Sequence, residues 1–151
     1  GLPPRDLRPA LGRWVFGCAR CQEGCPHNTA PPDPEEDEVL PRHPWLDLDA
    51  VLLTPDEILA EQFLGTPLRR AGGSGLKRNA LIALGNLGDP DGIPAARATL
   101  QHPSPVVRAA AIWCLARLGD PHATTHRDPH PLVQREVGAV MNGESTPAER
   151  A

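Results

Sequence analysis

The chain has 151 residues, 40% hydrophobic and only 3% aromatic, and its 19 prolines and 14 glycines far exceed the roughly 12% of average usage. This excludes a large close-packed core and predicts short elements joined by stiff connectors. No apolar run approaches the ~20 residues of a membrane span, and no basic-then-apolar leader opens the chain, so the expectation is a soluble, cytoplasmic protein without a membrane partner. The formal charge of −4 hides a split: ten carboxylates against one base from Asp33 to Glu61, then seven bases against two acids from Thr66 to Leu118. A basic half of this kind can meet phosphate while the acidic stretch favours solubility.

In chain order, residues 1–30 hold three of the four cysteines, in the pattern Cys18-x2-Cys21-x3-Cys25-Pro26. The bacterial ferredoxin run is C-x2-C-x2-C-x3-C-P, and its fourth cysteine serves the other cluster of a pair. The last three cysteines and the proline match, and the first position falls on Val15. Cys18 and Cys21 are therefore expected to ligate one [4Fe–4S] cluster and Cys25 a second, with the missing thiolates supplied from outside the chain. Together with a start at Gly1, this predicts a piece of a longer protein. The alternative is a compact zinc site of Cys18, Cys21, Cys25 and His27. The short gap from Cys25 to His27 disfavours it, and His27 reads more simply as an exposed loop residue. Cys114 reads as core packing, and disulfides are not expected without a secretory leader.

Residues 31–50 read as an acidic, proline-rich linker. A connecting helix is expected over 51–71. Thr54 would cap it, Pro55 would take its first position, Glu57 would close a capping box, and Gly65 would end it. Ile58, Leu59 and Phe63 form its apolar stripe.

From residue 72 to 141 the chain repeats itself. Residues 76–90 align without gaps on 107–121. Leu76, Ala80, Leu84 and Leu87 match Val107, Ala111, Leu115 and Leu118, at spacings that share one helical face. Gly88 and Gly119 fall where a left-handed cap is wanted, and Pro90 and Pro121 prevent continuation. Residues 92–101 can form a second helix with Ile93, Ala96 and Leu100 inward. A third copy starts at Pro131, after a shortened unit whose second helix should be stunted. Such helix pairs bury their apolar faces only against neighbours, which is the signature of an α-solenoid of HEAT-like type. Residues 142–151 read as a disordered tail. The fold class expected is thus all-α, a ferredoxin-type iron–sulfur segment followed by a HEAT-like solenoid.

Leu7-Arg8-Pro9, Phe16-Gly17-Cys18-x2-Cys21-Gln22-x2-Cys25-Pro26-x-Asn28, Gly65-Thr66-Pro67-Leu68-x-Arg70-Ala71 and Gly75-Leu76-x-Arg78-Asn79-Ala80-x2-Ala83-Leu84-Gly85-Asn86 resemble, in this order, the C-terminal part of the epoxyqueuosine reductase family. The resemblance implies a cobalamin-dependent oxidoreductase of queuosine synthesis, a monomer with two [4Fe–4S] clusters that pass electrons to cobalt. Its partners would be a tRNA anticodon stem-loop and the upstream catalytic domain of the same enzyme, which binds cobalamin and carries the general acid. No catalytic residue is expected within these residues, which alone would be inactive. Two departures stand out: His27 where the family usually has Trp, and Ala19 where it usually has Asp. Under this resemblance Arg69, Arg70, Lys77, Arg78 and Arg108 would grip RNA phosphates without reading sequence. The rival readings are an ordinary solvated solenoid face, a stand-alone HEAT-like module with a zinc or iron–sulfur site, and a ferredoxin-type carrier fused to a scaffold. Trp113 is expected in the core or a groove wall, and Trp14 and Trp45 as anchors for loops.

Overall fold

A computed structural model describes residues 1–29 and 45–144. Residues 31–44 of the linker expected over 31–50, and residues 145–151 of the tail expected over 142–151, lie outside the described residues. Among the described residues all regular structure is helical: α1 (Arg20–Glu23), α2 (Leu48–Leu53), α3 (Asp56–Gln62), α4 (Gly72–Leu87), α5 (Ile93–Ala98), α6 (Pro105–Arg117), α7 (His122–Thr125) and α8 (Pro131–Met141), with short 3-10 turns between them.

The repeat forms the body of the molecule. α4 packs on α6 and α6 on α8, while α5 and α7 lie alongside them. Leu76, Ala80, Leu84, Val107, Ala111 and Leu115 are all buried, as their spacing predicts, and Leu87 is exposed because α4 ends there. Gly88 and Gly119 adopt φ of 70° and 75°, the left-handed conformation that stops each helix. α7 is a single turn, the stunted element expected before the third copy. The His130 ring accepts from the Leu132 amide at 3.2 Å and starts α8.

Where α4 crosses α6 the backbones approach closely. A Cβ at Gly85 would lie 2.8 Å from the Trp113 ring and 3.2 Å from the Cys114 Cα. The ring cannot yield easily, because the Arg8 and Arg117 guanidiniums flank it, each 5.6 Å from its centre. Gly85→Val is therefore expected to destabilise the fold by about 1–3 kcal/mol through overpacking, read as a lowered urea midpoint at unchanged slope. An unchanged midpoint would mean that the two helices can separate freely.

The connecting region departs from expectation. Residues 51–71 are not one helix but the end of α2, then α3, then a 3-10 turn at Pro67–Ala71. The Thr54 hydroxyl donates to the Ala50 carbonyl at 2.7 Å, so it finishes α2 and leaves α3 without a side-chain cap. α2 begins inside the stretch expected as linker. Asp47 accepts from the Ala50 amide at 3.0 Å to cap it. Leu46 and Leu48 then pack on the core.

The N-terminal segment is strapped into the solenoid by side chains far away in sequence. Asn86 Nδ2 donates to the carbonyls of Arg8 and Gly12, both at 2.8 Å, and Asn79 Nδ2 donates to that of Val15 at 2.7 Å. Asn79 and Asn86 are two turns apart on α4 and share a face. Arg8, only 2% exposed, forks onto Glu136 of α8 at 2.7 and 3.0 Å, and Arg5 pairs with the same carboxylate. Arg8 also donates to the Pro3 carbonyl at 2.9 Å. The segment leading to the cysteines is thereby fixed to both the first and the last helix of the repeat.

A cysteine loop and a candidate nucleic-acid interface

The strap delivers the chain at Gly17, with φ of 70°, into the cysteine loop. Cys18 precedes α1, Cys21 lies on it and Cys25 follows it. Cys18 and Cys21 are exposed, Cys25 is half-buried, and none forms a disulfide. The Asn28 amide donates to the Gln22 carbonyl at 3.2 Å and closes the loop on itself. Among the described residues no three of the Cys, His, Asp and Glu side chains converge on a point that could hold a metal ion. The compact zinc site of Cys18, Cys21, Cys25 and His27 is accordingly not assembled. What the loop offers is a set of free thiols at ferredoxin spacing, chemically suited to iron–sulfur ligation and short of a full ligand set. Cys114 is buried between α4 and α6, and burial pushes its thiol far above the usual range, as befits packing rather than chemistry.

The five basic residues expected to meet RNA do not act alike. Lys77 is 5% exposed and its ammonium lies 3.1 Å from Asp56. Arg108 forks onto Asp128 at 2.7 and 3.2 Å and donates to the carbonyls of His102 and Pro103. Its guanidinium holds the Asp128 carboxyl down to about 2. Both are structural cations, and the reason is tertiary: α3 and the segment before α8 bring carboxylates to them. Arg78 is half-buried, bonded to Asn79 and to the Gly1 carbonyl, so it belongs mainly to the strap, and burial lowers its pKa. Only Arg69 and Arg70, on the 3-10 turn before α4, are exposed and without an acidic partner among the described residues.

The structure adds a feature that the sequence reading missed. A cleft of about 890 Å³ opens between residues 13–17 and the Pro67–Ala71 turn, with Arg13, Trp14, Phe16, Trp45, Leu68 and Arg70 among its lining. Among the described residues Trp45 is 89% exposed, not packed as the loop anchor expected, and Trp14 is 39% exposed. The signal available in advance was the scarcity of aromatics, of which three line this one cleft. A smaller depression of about 480 Å³ beside α8 includes Asp128, whose carboxylate is already committed to Arg108.

Residues 68–137 match the family model for HEAT repeats. Over 125 residues, 80% of its length, the chain is 37% identical to an epoxyqueuosine reductase of Pseudomonas aeruginosa, of which it spans 34%. It is 32% identical over 153 aligned residues to one from Yersinia pestis, covering 95% of this chain and 36% of that one. The fold superposes on the structure of epoxyqueuosine reductase from Streptococcus thermophilus with a TM-score of 0.79 at 25% identity, covering 97% of this chain and 41% of that one. A second epoxyqueuosine reductase, crystallised with a tRNA stem-loop, gives 0.78 at 24% identity, covering 94% and 40%. The chain thus spans about a third of the length of its curated relatives. Among the described residues no helix is long and apolar enough to cross a membrane.

Proposed function

The chain is homologous to epoxyqueuosine reductases over about a third of their length, and from that premise we propose that it performs the work of the corresponding part of such an enzyme, presenting iron–sulfur ligands on a tRNA-binding solenoid. The supporting observation is the strap. Arg8, Asn79 and Asn86, which carry the resemblance in sequence, are the residues that fasten the cysteine segment to the repeats. A loop used for electron transfer must be held at a set distance from its acceptor, and a buried Arg–Glu fork with three asparagine-to-carbonyl bonds does this.

On this reading Cys18 and Cys21 ligate one cluster and Cys25 reaches a second, the remaining ligands coming from another part of the enzyme. A [4Fe–4S] cluster, when bound, supplies one-electron transfer toward cobalamin. Cobalamin and the catalytic groups are assigned to the upstream domain, so these residues alone are inactive and contribute no catalytic side chain. Arg69 and Arg70 contact the phosphates of the anticodon stem-loop and position it, while Lys77 and Arg108 hold the solenoid together.

Reversing both exposed charges tests the RNA role. Arg69→Glu with Arg70→Glu is expected to weaken binding of an anticodon stem-loop by tenfold or more near 0.1 M salt. It should also flatten the salt dependence by about two logarithmic units per decade, since each lost phosphate contact contributes about 0.9. Fluorescence anisotropy with a labelled stem-loop reads both quantities. Unchanged affinity and slope would remove the RNA-binding half of the proposal.

A further inference from the structure

We propose that Asn28 is a positioning residue for iron–sulfur ligation: its side-chain amide, bonded to the Gln22 carbonyl, holds Cys25 apart from Cys18 and Cys21, so that Cys25 serves a different cluster. The proposal rests on the iron–sulfur reading of the cysteine loop and deepens it, because it names the side chain that separates the ligands.

Three observations carry it. First, the three thiols do not form one set. Cys18 and Cys21 are exposed, Cys25 is half-buried, and no three metal-binding side chains among the described residues converge, although these cysteines share one short loop. Second, the backbone on both sides of Cys25 is held. Its amide donates to the Gln22 carbonyl at 3.2 Å, and its carbonyl accepts from the Asn28 backbone N–H at 2.9 Å. Third, the Asn28 side chain donates to that same Gln22 carbonyl at 3.2 Å, and a carbonyl has lone pairs for both donors. These bonds close a ring around Cys25 whose fixed side is α1, the helix that carries Cys21.

The chemistry of the turn explains why a side chain is needed. Pro26 has no N–H to give, so the chain just after Cys25 lacks a backbone donor, and the asparagine amide supplies one. In the ferredoxin run the cysteine before the proline serves the other cluster, which requires its thiol to leave the direction of its neighbours. Alanine at position 28 would keep the backbone bonds and lose the tie to α1. Aspartate, of the same size, has no donor when ionised and would set a carboxylate oxygen against the Gln22 carbonyl.

The experiment uses the whole enzyme, with the part that supplies the remaining ligands, reconstituted anaerobically with iron and sulfide and, separately, stripped of both. In the stripped protein, iodoacetamide alkylation is followed thiol by thiol by peptide mass spectrometry. Asn28→Ala and Asn28→Asp should raise the Cys25 rate about two- to fivefold, the effect of one solvent-exposed hydrogen bond, and leave Cys18, Cys21 and the urea midpoint unchanged. In the reconstituted protein an iron chelator should remove iron in two phases, and only the phase that Cys25→Ser also disturbs should quicken. Asn28→Gln keeps the donor on a longer arm and should lie closer to wild type than either.

An unchanged Cys25 rate in Asn28→Ala overturns the positioning role. So does an equal rise at all three thiols with a lowered urea midpoint, which would make the bond a general prop of the fold. Equal quickening of both phases overturns it too, because Asn28 would then not separate the ligands. If wild type takes up no iron and sulfide, the iron–sulfur reading itself has failed and the proposal falls with it, an outcome that the iron content alone distinguishes.

Discussion

Glu136→Ala should cost about 3–5 kcal/mol of folding free energy, the largest single effect expected in this chain. The carboxylate is 7% exposed and receives two guanidiniums, one of them from Arg8 at 2% exposure. Removing it leaves a buried cation with no counter-charge, and that uncompensated desolvation, rather than the loss of the pair's own attraction, sets the magnitude. The Arg8 guanidinium stays pinned by the Pro3 carbonyl and by Trp113, so it cannot swing out to water without releasing the segment. Equilibrium urea unfolding gives the cost, and hydrogen exchange should show protection lost first at Arg8 and Gly12. Arg8→Met in the Glu136→Ala background should recover much of the loss by removing the orphaned charge. A loss below about 1 kcal/mol, or no recovery in the double variant, would show that the fork is only surface decoration.

The second large effect centres on Asp56. Its carboxylate accepts from the Ser74 hydroxyl at 2.6 Å and lies 3.1 Å from both the Lys77 ammonium and the His102 ring. His102 Nδ1 accepts from the Ser104 amide, so Nε2 carries the proton that is donated to Asp56. The hub joins α3 to α4 and to the loop before α6. The fit is tight, since a Cβ at Gly73 would lie 2.5 Å from the Asp56 Cα. Asp56→Ala is expected to cost about 3 kcal/mol by stranding the buried lysine.

The pH dependence carries a definite sign. Partial burial acts to raise the Asp56 pKa, but hydrogen bonds from Ser74 and His102, and then Lys77, outweigh it and leave the pKa below 3.8. The carboxylate's stabilisation is therefore complete above pH 3.8 and is lost as pH falls through the lowered value. Wild type and Asp56→Ala should differ fully at pH 7 and converge in strong acid. Parallel stability curves down to pH 2 would show that the carboxylate's charge contributes nothing.

The repeats were legible because their cause is local. A spacing of four and four puts Leu76, Ala80 and Leu84 on one face whatever surrounds them, and a glycine with a proline two residues on ends a helix by its own backbone geometry. The cysteine spacing was legible in the same way, as a pattern within a single loop. Thr54 shows where local reasoning stops. Its hydroxyl could cap the helix ahead or close the one behind, and the packing of Leu46 and Leu48 selected the second.

The basic residues were the least legible part. In sequence, Lys77, Arg78 and Arg108 look like Arg69 and Arg70, because a cation's availability depends on where the chain brings a carboxylate. Asp56 is twenty-one positions before Lys77 and Asp128 twenty positions after Arg108, and only the fold closes those gaps. The cleft likewise needs residues 13–17, Trp45 and Arg70 side by side. Sequence alone determined the helices of the repeat and the thiol pattern, each set by propensity and spacing within one turn or one loop. Tertiary structure alone decided which charges are buried in pairs and which face water, because burial and pairing depend on contacts between residues as far apart as Arg8 and Glu136.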